Sequence, residues 1–291
     1  MRTSIRKYNI IKYMNCAPNR KGDKTCYTKM QLEKMAEILN KQENAKIKGK
    51  TKEQLWNGIR EHLFEECNYE WCWLDNKSIK KLNDKELKDM TFKPAMPEEW
   101  MKNKYTWLTT TDINKVMRQY ENLYEDFRFF GPVPVDCPKD IYCELTNIDL
   151  GKLRKRNVKN IGVIFNLDKH NESGSHWVAL YVDGTNNRVS YYDSTGSEPP
   201  GYIRYFMEMM RRQMPKGVKV DWNKKKHQFG GSECGVYSMN FLVESLKGKS
   251  LRDFEKKSVS DFSVNILRNY FYRPSKKSGG IGINGGKNKK K

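Results

Sequence analysis

No stretch of the 291-residue chain approaches the roughly 20 consecutive apolar residues of a membrane-spanning helix, so the sequence predicts none. Residues 1–18 are basic but contain no unbroken apolar run, which makes them a poor secretory signal. No segment repeats. Acidic residues are in short supply, with 35 Asp and Glu facing 55 Lys and Arg, a formal net charge of +20. The seven cysteines are an odd number, which does not read as a closed disulfide framework. Together with the missing signal, this predicts reduced thiols in a cytoplasmic or nuclear protein.

What is present begins with that charge. An excess of this size favours a polyanionic neighbour, either nucleic acid or an acidic protein, or else serves solubility in a lysine-rich surface. Seven of the basic residues fall between Arg273 and Lys291 with no acidic residue among them. This Gly-, Ser- and Lys-rich stretch reads as a flexible tail.

The chain divides by pattern into a helical arm (residues 1–100), a larger domain (101–273) and the tail (274–291). In the arm, Thr28 with Gln31 and Thr51 with Gln54 have capping-box spacing, each followed by apolar residues on one helical face. Two small helices packed as a hairpin follow from this, with the aromatic run 67–74 against them. Cys16, Cys26, Cys67 and Cys72 are spaced loosely for zinc; they read either as a zinc site or as reduced thiols packing the arm. In the larger domain, residues 107–112 lead into a helix with Ile113, Val116, Met117 and Tyr120 on one face. Pro132, Pro134 and Pro138 read as a loop. The pattern then predicts strands over 161–167, 176–183, 188–193 and 218–222, and helices over 202–210, 234–246 and 261–270.

Two of these strands flank a turn at 183–187. If the turn centres between Gly184 and Thr185, His176 lies directly opposite Asp193, with Cβ atoms roughly 5 Å apart. Centred one residue later, it leaves them diagonal and still within reach. A carboxylate there fixes the tautomer of the imidazole and stabilises its charged form. His170 in a polar loop is an alternative base, and Asp183 an alternative orienting group at the far end of the hairpin. His227 reads as a surface residue or a substrate-loop contact. Cys234 begins a helix after a glycine-containing loop, where a helix N-terminus and a nearby imidazolium both favour a thiolate nucleophile. Gln228, six residues earlier, is placed for its amide to return to the thiol and form an oxyanion hole with the Cys234 N–H.

The ordered set of His176-Trp177, Asp193, Gln228 and Cys234-Gly235 resembles the adenain-like cysteine proteases, a superfamily that includes the SUMO proteases of Ulp type. Residues 107–113 resemble the Trp-Leu helix that opens the SUMO-protease domain. The arm joined to such a core is most similar to the polyprotein proteases of large DNA viruses, such as that of African swine fever virus. The resemblance implies an α+β fold, a mixed central sheet with flanking helices, and a cysteine endopeptidase using His176, Asp193, Gln228 and Cys234 as catalytic residues, with no metal or cofactor. It further implies a protein substrate cut after Gly-Gly or Gly-x-Gly. Viral structural polyproteins in host cytoplasm and virion are then the expected targets, or SUMO and other ubiquitin-like modifiers if the protein is cellular. A nucleic-acid-binding protein with a degenerate protease core is the alternative of another class. Gly285-Gly286 in the tail matches the family's cleavage pattern, so the tail reads either as a substrate of the enzyme or as a plain solubilising segment.

Overall fold

A computed structural model describes residues 15–275, except 21–23, 83, 85, 86, 88, 104, 138, 257 and 258. Apart from Pro274 and Ser275, the expected tail, with Gly285-Gly286, lies outside them. The chain forms two compact units, one from the described residues of Met1–Lys104 and Tyr272–Lys291, the other from those of Tyr105–Phe271.

In the first unit, α1 (Lys29–Glu43) and α2 (Lys52–His62) each open with a complete capping box. At α1 the Gln31 N–H donates to the Thr28 hydroxyl at 3.2 Å, and the Thr28 N–H donates to the Gln31 side chain at 2.9 Å. Two N–H groups that a helix start leaves without intrahelical partners are thereby satisfied. Asn40 stitches the link between the helices, accepting from the Ile47 N–H at 2.6 Å and donating to its carbonyl at 2.8 Å. Leu32, Met35, Leu39, Leu55 and Ile59 form a core with Tyr27, Trp71 and Trp73. Tyr27 stacks on Trp73 with ring centroids 5.8 Å apart. Buried Glu70 accepts from the Cys26 N–H at 3.1 Å and from the Trp56 indole. Tyr272 and Arg273 belong to this unit: Tyr272 meets Trp100 edge-on at 4.9 Å, and Arg273 exchanges backbone hydrogen bonds with Pro94 and Met96.

The second unit is an α+β fold built on a five-stranded mixed sheet in the order β1-β2-β3-β4-β5: β1 (Phe127–Pro134), β2 (Asn160–Asn166), β3 (Trp177–Asp183), β4 (Arg188–Tyr192) and β5 (Lys219–Trp222). The outer pairs are parallel and the two inner ones antiparallel. Besides a short helix over Leu150–Lys155, its helices are α3 (Thr110–Leu123), α4 (Gly201–Arg212), α5 (Cys234–Leu246), α6 (Leu251–Lys256) and α7 (Asp261–Phe271). Alternation sorts the strands: Val163, Phe165, Val178, Leu180 and Tyr191 pack with Ile203, Phe206 and Met210 of α4. On the other face runs α5, apolar nearly all round and buried from Cys234 to Val243, as a helix in the middle of a core must be. Gly162 lets it approach: a Cβ there would stand 2.8 Å from the Phe127 ring and 3.2 Å from Leu242.

Two expectations need correction. Pro132 and Pro134 lie in strand β1 rather than in a loop. It is an edge strand, and its register shifts between Phe129 and Pro132, so the prolines sit where a missing N–H costs no ladder bond. The cysteines, expected reduced, form three pairs: Cys16–Cys26, Cys67–Cys72 and Cys137–Cys143, with Cα separations of 5.2, 6.0 and 5.7 Å. Each pair stands within bridging range, which an odd total had obscured. The four arm cysteines thus stand as two pairs, not one cluster, and among the described residues no three His, Cys, Asp or Glu side chains converge as a metal site.

Alkylation of the unreduced, denatured protein should therefore label one cysteine, Cys234, and labelling after reduction all seven. Intact mass reads this directly; seven labels without reduction would show that the pairs do not form bonds.

Candidate active site

The register of β3 and β4 decides where the candidate residues meet. Ala179 faces Tyr192 and Asp183 faces Arg188, so the turn centres one residue later than Gly184–Thr185. His176, just before β3, and Asp193, just after β4, are consequently diagonal rather than directly opposite. Their side chains span the diagonal: His176 Nε2 lies 2.7 Å from Asp193 Oδ1. That carboxylate is buried and also accepts the Thr195 N–H at 2.8 Å.

Cys234 is a second partner of the ring, close enough for a hydrogen bond to the imidazole. With Nε2 given to Asp193, Nδ1 is the atom left for sulfur. Burial by itself would push the ring's pKa down. The hydrogen bonds to Asp193 and Cys234 and the charges of both partners override it, raising the pKa to about 10. Cys234 is the first residue of α5, and the cap residue Glu233 gives no side-chain bond to the helix start, which leaves first-turn N–H groups open beside the sulfur. The Ser238 hydroxyl, one turn on, donates to the Trp177 carbonyl at 3.1 Å and ties α5 to the start of β3. Gly235 allows the close packing, since a Cβ would lie 3.1 Å from Leu108 and 3.2 Å from Trp177.

Gln228 is buried in the loop before α5. Its side-chain oxygen accepts from the Ser194 hydroxyl at 2.6 Å, and its amide nitrogen donates to the Gly230 carbonyl at 3.0 Å, using one of its two N–H bonds. The His227 and Gln228 N–H groups both donate to the Ser194 carbonyl, at 2.8 and 2.9 Å. Three consecutive residues at the end of β4 thus grip three parts of the site. Tyr192 bonds the His227 ring at 2.9 Å, Asp193 holds His176, and Ser194 holds Gln228. His227, expected at the surface or as a substrate-loop contact, is buried among Tyr192, Tyr237 and Phe254. Burial and the charge of Lys225 push its pKa down, which favours the neutral ring. His170 is not part of this cluster: it pairs with buried Asp136 at 2.7 Å. Asp183 bonds Asn186 within the hairpin turn.

Sequence reasoning missed the supports. Asn223 is fully buried; it accepts from the Asp193 N–H at 2.8 Å and donates to the Asp193 carbonyl at 2.6 Å, fixing the backbone that aims the carboxylate. Helix α7 holds the loop before Cys234. Asp261 accepts the Phe229 and Gly230 N–H groups at 2.8 and 2.7 Å, Asn265 donates to Glu233 at 3.0 Å, and Arg268 donates to the Ser232 carbonyl at 3.1 Å. Their spacing of four and three places them on one face of a helix, the signal that was available.

Comparison with known proteins gives concordant results. Residues 152–277 match the Ulp1 protease family, C-terminal catalytic domain. A protein of Acanthamoeba polyphaga mimivirus assigned as a thiol protease is 32% identical over 286 residues, 90% of this chain and 94% of the relative. The SUMO-1 cysteine protease of African swine fever virus is 24% identical over 235 residues, 71% of this chain and 83% of that protein. The crystal structure of the African swine fever virus protease shares the fold, with a TM-score of 0.65 at 20% identity over 90% of this chain and 96% of that one.

The raised pKa of His176 fixes a sign. The charged ring stabilises the fold fully below about pH 6.5, and that contribution is lost as the pH rises through about 10. Catalysis that needs the imidazolium should decline over the same alkaline range. Asp193→Asn should pull the alkaline limb of kcat/KM down by about one pH unit or more. A limb unmoved in Asp193→Asn would show that the carboxylate does not hold the ring's charge.

Proposed function

From the premise that this chain belongs to the Ulp1 protease family and is a cysteine-type peptidase, we propose that Cys234 is its nucleophile, His176 its acid–base, Asp193 the group that orients and charges His176, and Gln228 an oxyanion donor. The observation that carries this reading is the single imidazole shared between a buried carboxylate and a thiol at a helix start. Thiolate attack on a peptide carbonyl gives a tetrahedral oxyanion, which the Cys234 N–H and the second N–H of the Gln228 amide accommodate. His176 protonates the departing amine, then takes a proton from the water that releases the thioester.

The substrate reading is cleavage after Gly-Gly or Gly-x-Gly, in structural polyproteins of a virus during virion maturation, in host cytoplasm and virion. Support for glycine comes from crowding: Leu108 and Trp177 press on Gly235 beside the nucleophile, and the indole of Trp177 donates to the Leu108 carbonyl at 3.0 Å. We read this crowding as favouring a residue without a side chain next to the scissile carbonyl. The viral relatives, which match the arm as well as the core, support the polyprotein reading. The name of the African swine fever virus relative favours a second one, release of SUMO or a similar modifier.

Fluorogenic peptides ending in Gly-Gly, Gly-Ala or Ala-Gly, beside SUMO and polyprotein fusions, separate these readings. Gly-Gly should be cut and Gly-Ala at least about 100-fold more slowly. Cys234→Ala should abolish turnover with the fold intact. His176→Ala also strips a buried carboxylate of its charged partner, at a cost of about 3 kcal/mol, so Cys234→Ala is the cleaner variant. Gln228→Ala should lower kcat by about 100-fold or more with little change in KM. Retained turnover in Cys234→Ala contradicts the assignment, and weakened binding with unchanged kcat removes Gln228 from the oxyanion hole.

The +20 charge supports a nucleic-acid contact of no sequence preference. Binding of a duplex oligonucleotide should weaken steeply between low and physiological salt; no binding in dilute buffer would leave the charge as a solubility feature.

A further inference from the structure

Helix α7 buries Val264 and Phe271 in the core and carries a second set of apolar residues that it does not bury. Its polar side chains Asp261, Asn265 and Arg268 face inward onto the loop before Cys234, while Phe262, Ile266 and Tyr270, spaced i, i+4, i+8, are 77%, 53% and 42% exposed. An apolar stripe exposed on a helix that already buries Val264 and Phe271 marks a contact surface. Phe229 adds to it. Asp261 pins the backbone N–H groups of Phe229 and Gly230, and the Phe229 ring stands 78% exposed, one residue beyond Gln228 and one bonded neighbour from Phe262. Cations rim the strip: Lys226 Nζ lies 5.1 Å from the centroid of the Phe229 ring and Lys247 Nζ 5.5 Å from that of Tyr270.

We propose that Phe229 and the outward face of α7 bind the substrate chain itself, taking an apolar side chain that flanks the cleaved glycines and has an acidic residue beside it. The inference rests on the catalytic reading above. It commits to the substrate because the strip is continuous with the loop that carries Gln228. A polypeptide whose scissile carbonyl lies between Gln228 and Cys234 passes Phe229 within a residue or two, at about 3.3 Å per extended residue. The apolar ring selects an apolar partner. Lys226 beside that ring selects against basic neighbours and for acidic ones, while Lys247 is already paired with Glu244.

A proteome-derived peptide library digested by the wild-type enzyme should show Leu, Ile, Met or Phe enriched at one position within three residues of the glycines, with Asp or Glu adjacent. On matched fluorogenic peptides differing only in Leu or Ser at that position, the wild type should prefer Leu by about tenfold in kcat/KM. The ratio should fall below about twofold in Phe229→Ser and be reduced in Phe262→Ser, both exposed positions whose substitution leaves the melting temperature in place. Absence of apolar enrichment, or a preference that survives both substitutions, overturns the proposal. So does a wild-type dimer that Phe262→Ser dissociates with the preference unchanged, which would make the strip an interface between copies. A wild-type enzyme that cuts no peptide contradicts the catalytic reading instead, an outcome distinct from these.

Discussion

The antiparallel pairing of β3 with β4 is the constraint on which the candidate site depends. It brings the residue before one strand and the residue after the other to the same end of the sheet, where His176 and Asp193 meet at 2.7 Å. A slip of one residue would turn every side chain of β4 to the opposite face and exchange Tyr191 with Tyr192 between the two cores. That slip is opposed from both sides. Tyr191 is buried against α4, and Tyr192 stacks on Phe241 of α5 at 5.0 Å, so the register that fills both cores is also the one that charges the histidine.

From that end of the sheet the order spreads along the chain. Tyr192, Asp193 and Ser194 each reach a different partner, and Asn223 holds the Asp193 backbone through both its N–H and its carbonyl. Helix α7 then fixes the loop between Gln228 and Cys234 from the other side. Side chains positioned by packed strands and helices, with a satisfied shell of supports behind them, hold their geometry before substrate arrives, which is what proton transfer and oxyanion stabilisation require. While α7 turns Asp261, Asn265 and Arg268 towards that loop, Phe262, Ile266 and Tyr270 stay exposed.

Much of this was legible in the sequence, for local reasons. Thr28 with Gln31 and Thr51 with Gln54 signal helix starts because a capping box needs only residues three apart. Cys234 was recognisable because glycines precede an apolar helical run. His176 and Asp193 could be paired because a hairpin leaves only adjacent registers open, and the observed one is the diagonal alternative. The failures involve non-local partners. Pro132 and Pro134 read as a loop until β2 supplies the neighbour that makes β1 an edge strand. Asn223 looks like any loop residue before Asp193 is seen beside it. His227 carries no sign of its burial, and the cysteine pairs depend on a spatial proximity that composition does not reveal.

The central claim is that one imidazole, charged by Asp193, keeps Cys234 nucleophilic. A Gly-Gly peptide bearing a vinyl ester in place of the scissile bond tests it by trapping the thiolate. Intact mass and peptide mapping after brief exposure at neutral pH should show a single adduct on Cys234, formed at least about 100-fold more slowly in His176→Gln. An adduct on another cysteine, or equal rates in wild type and His176→Gln, would contradict the account.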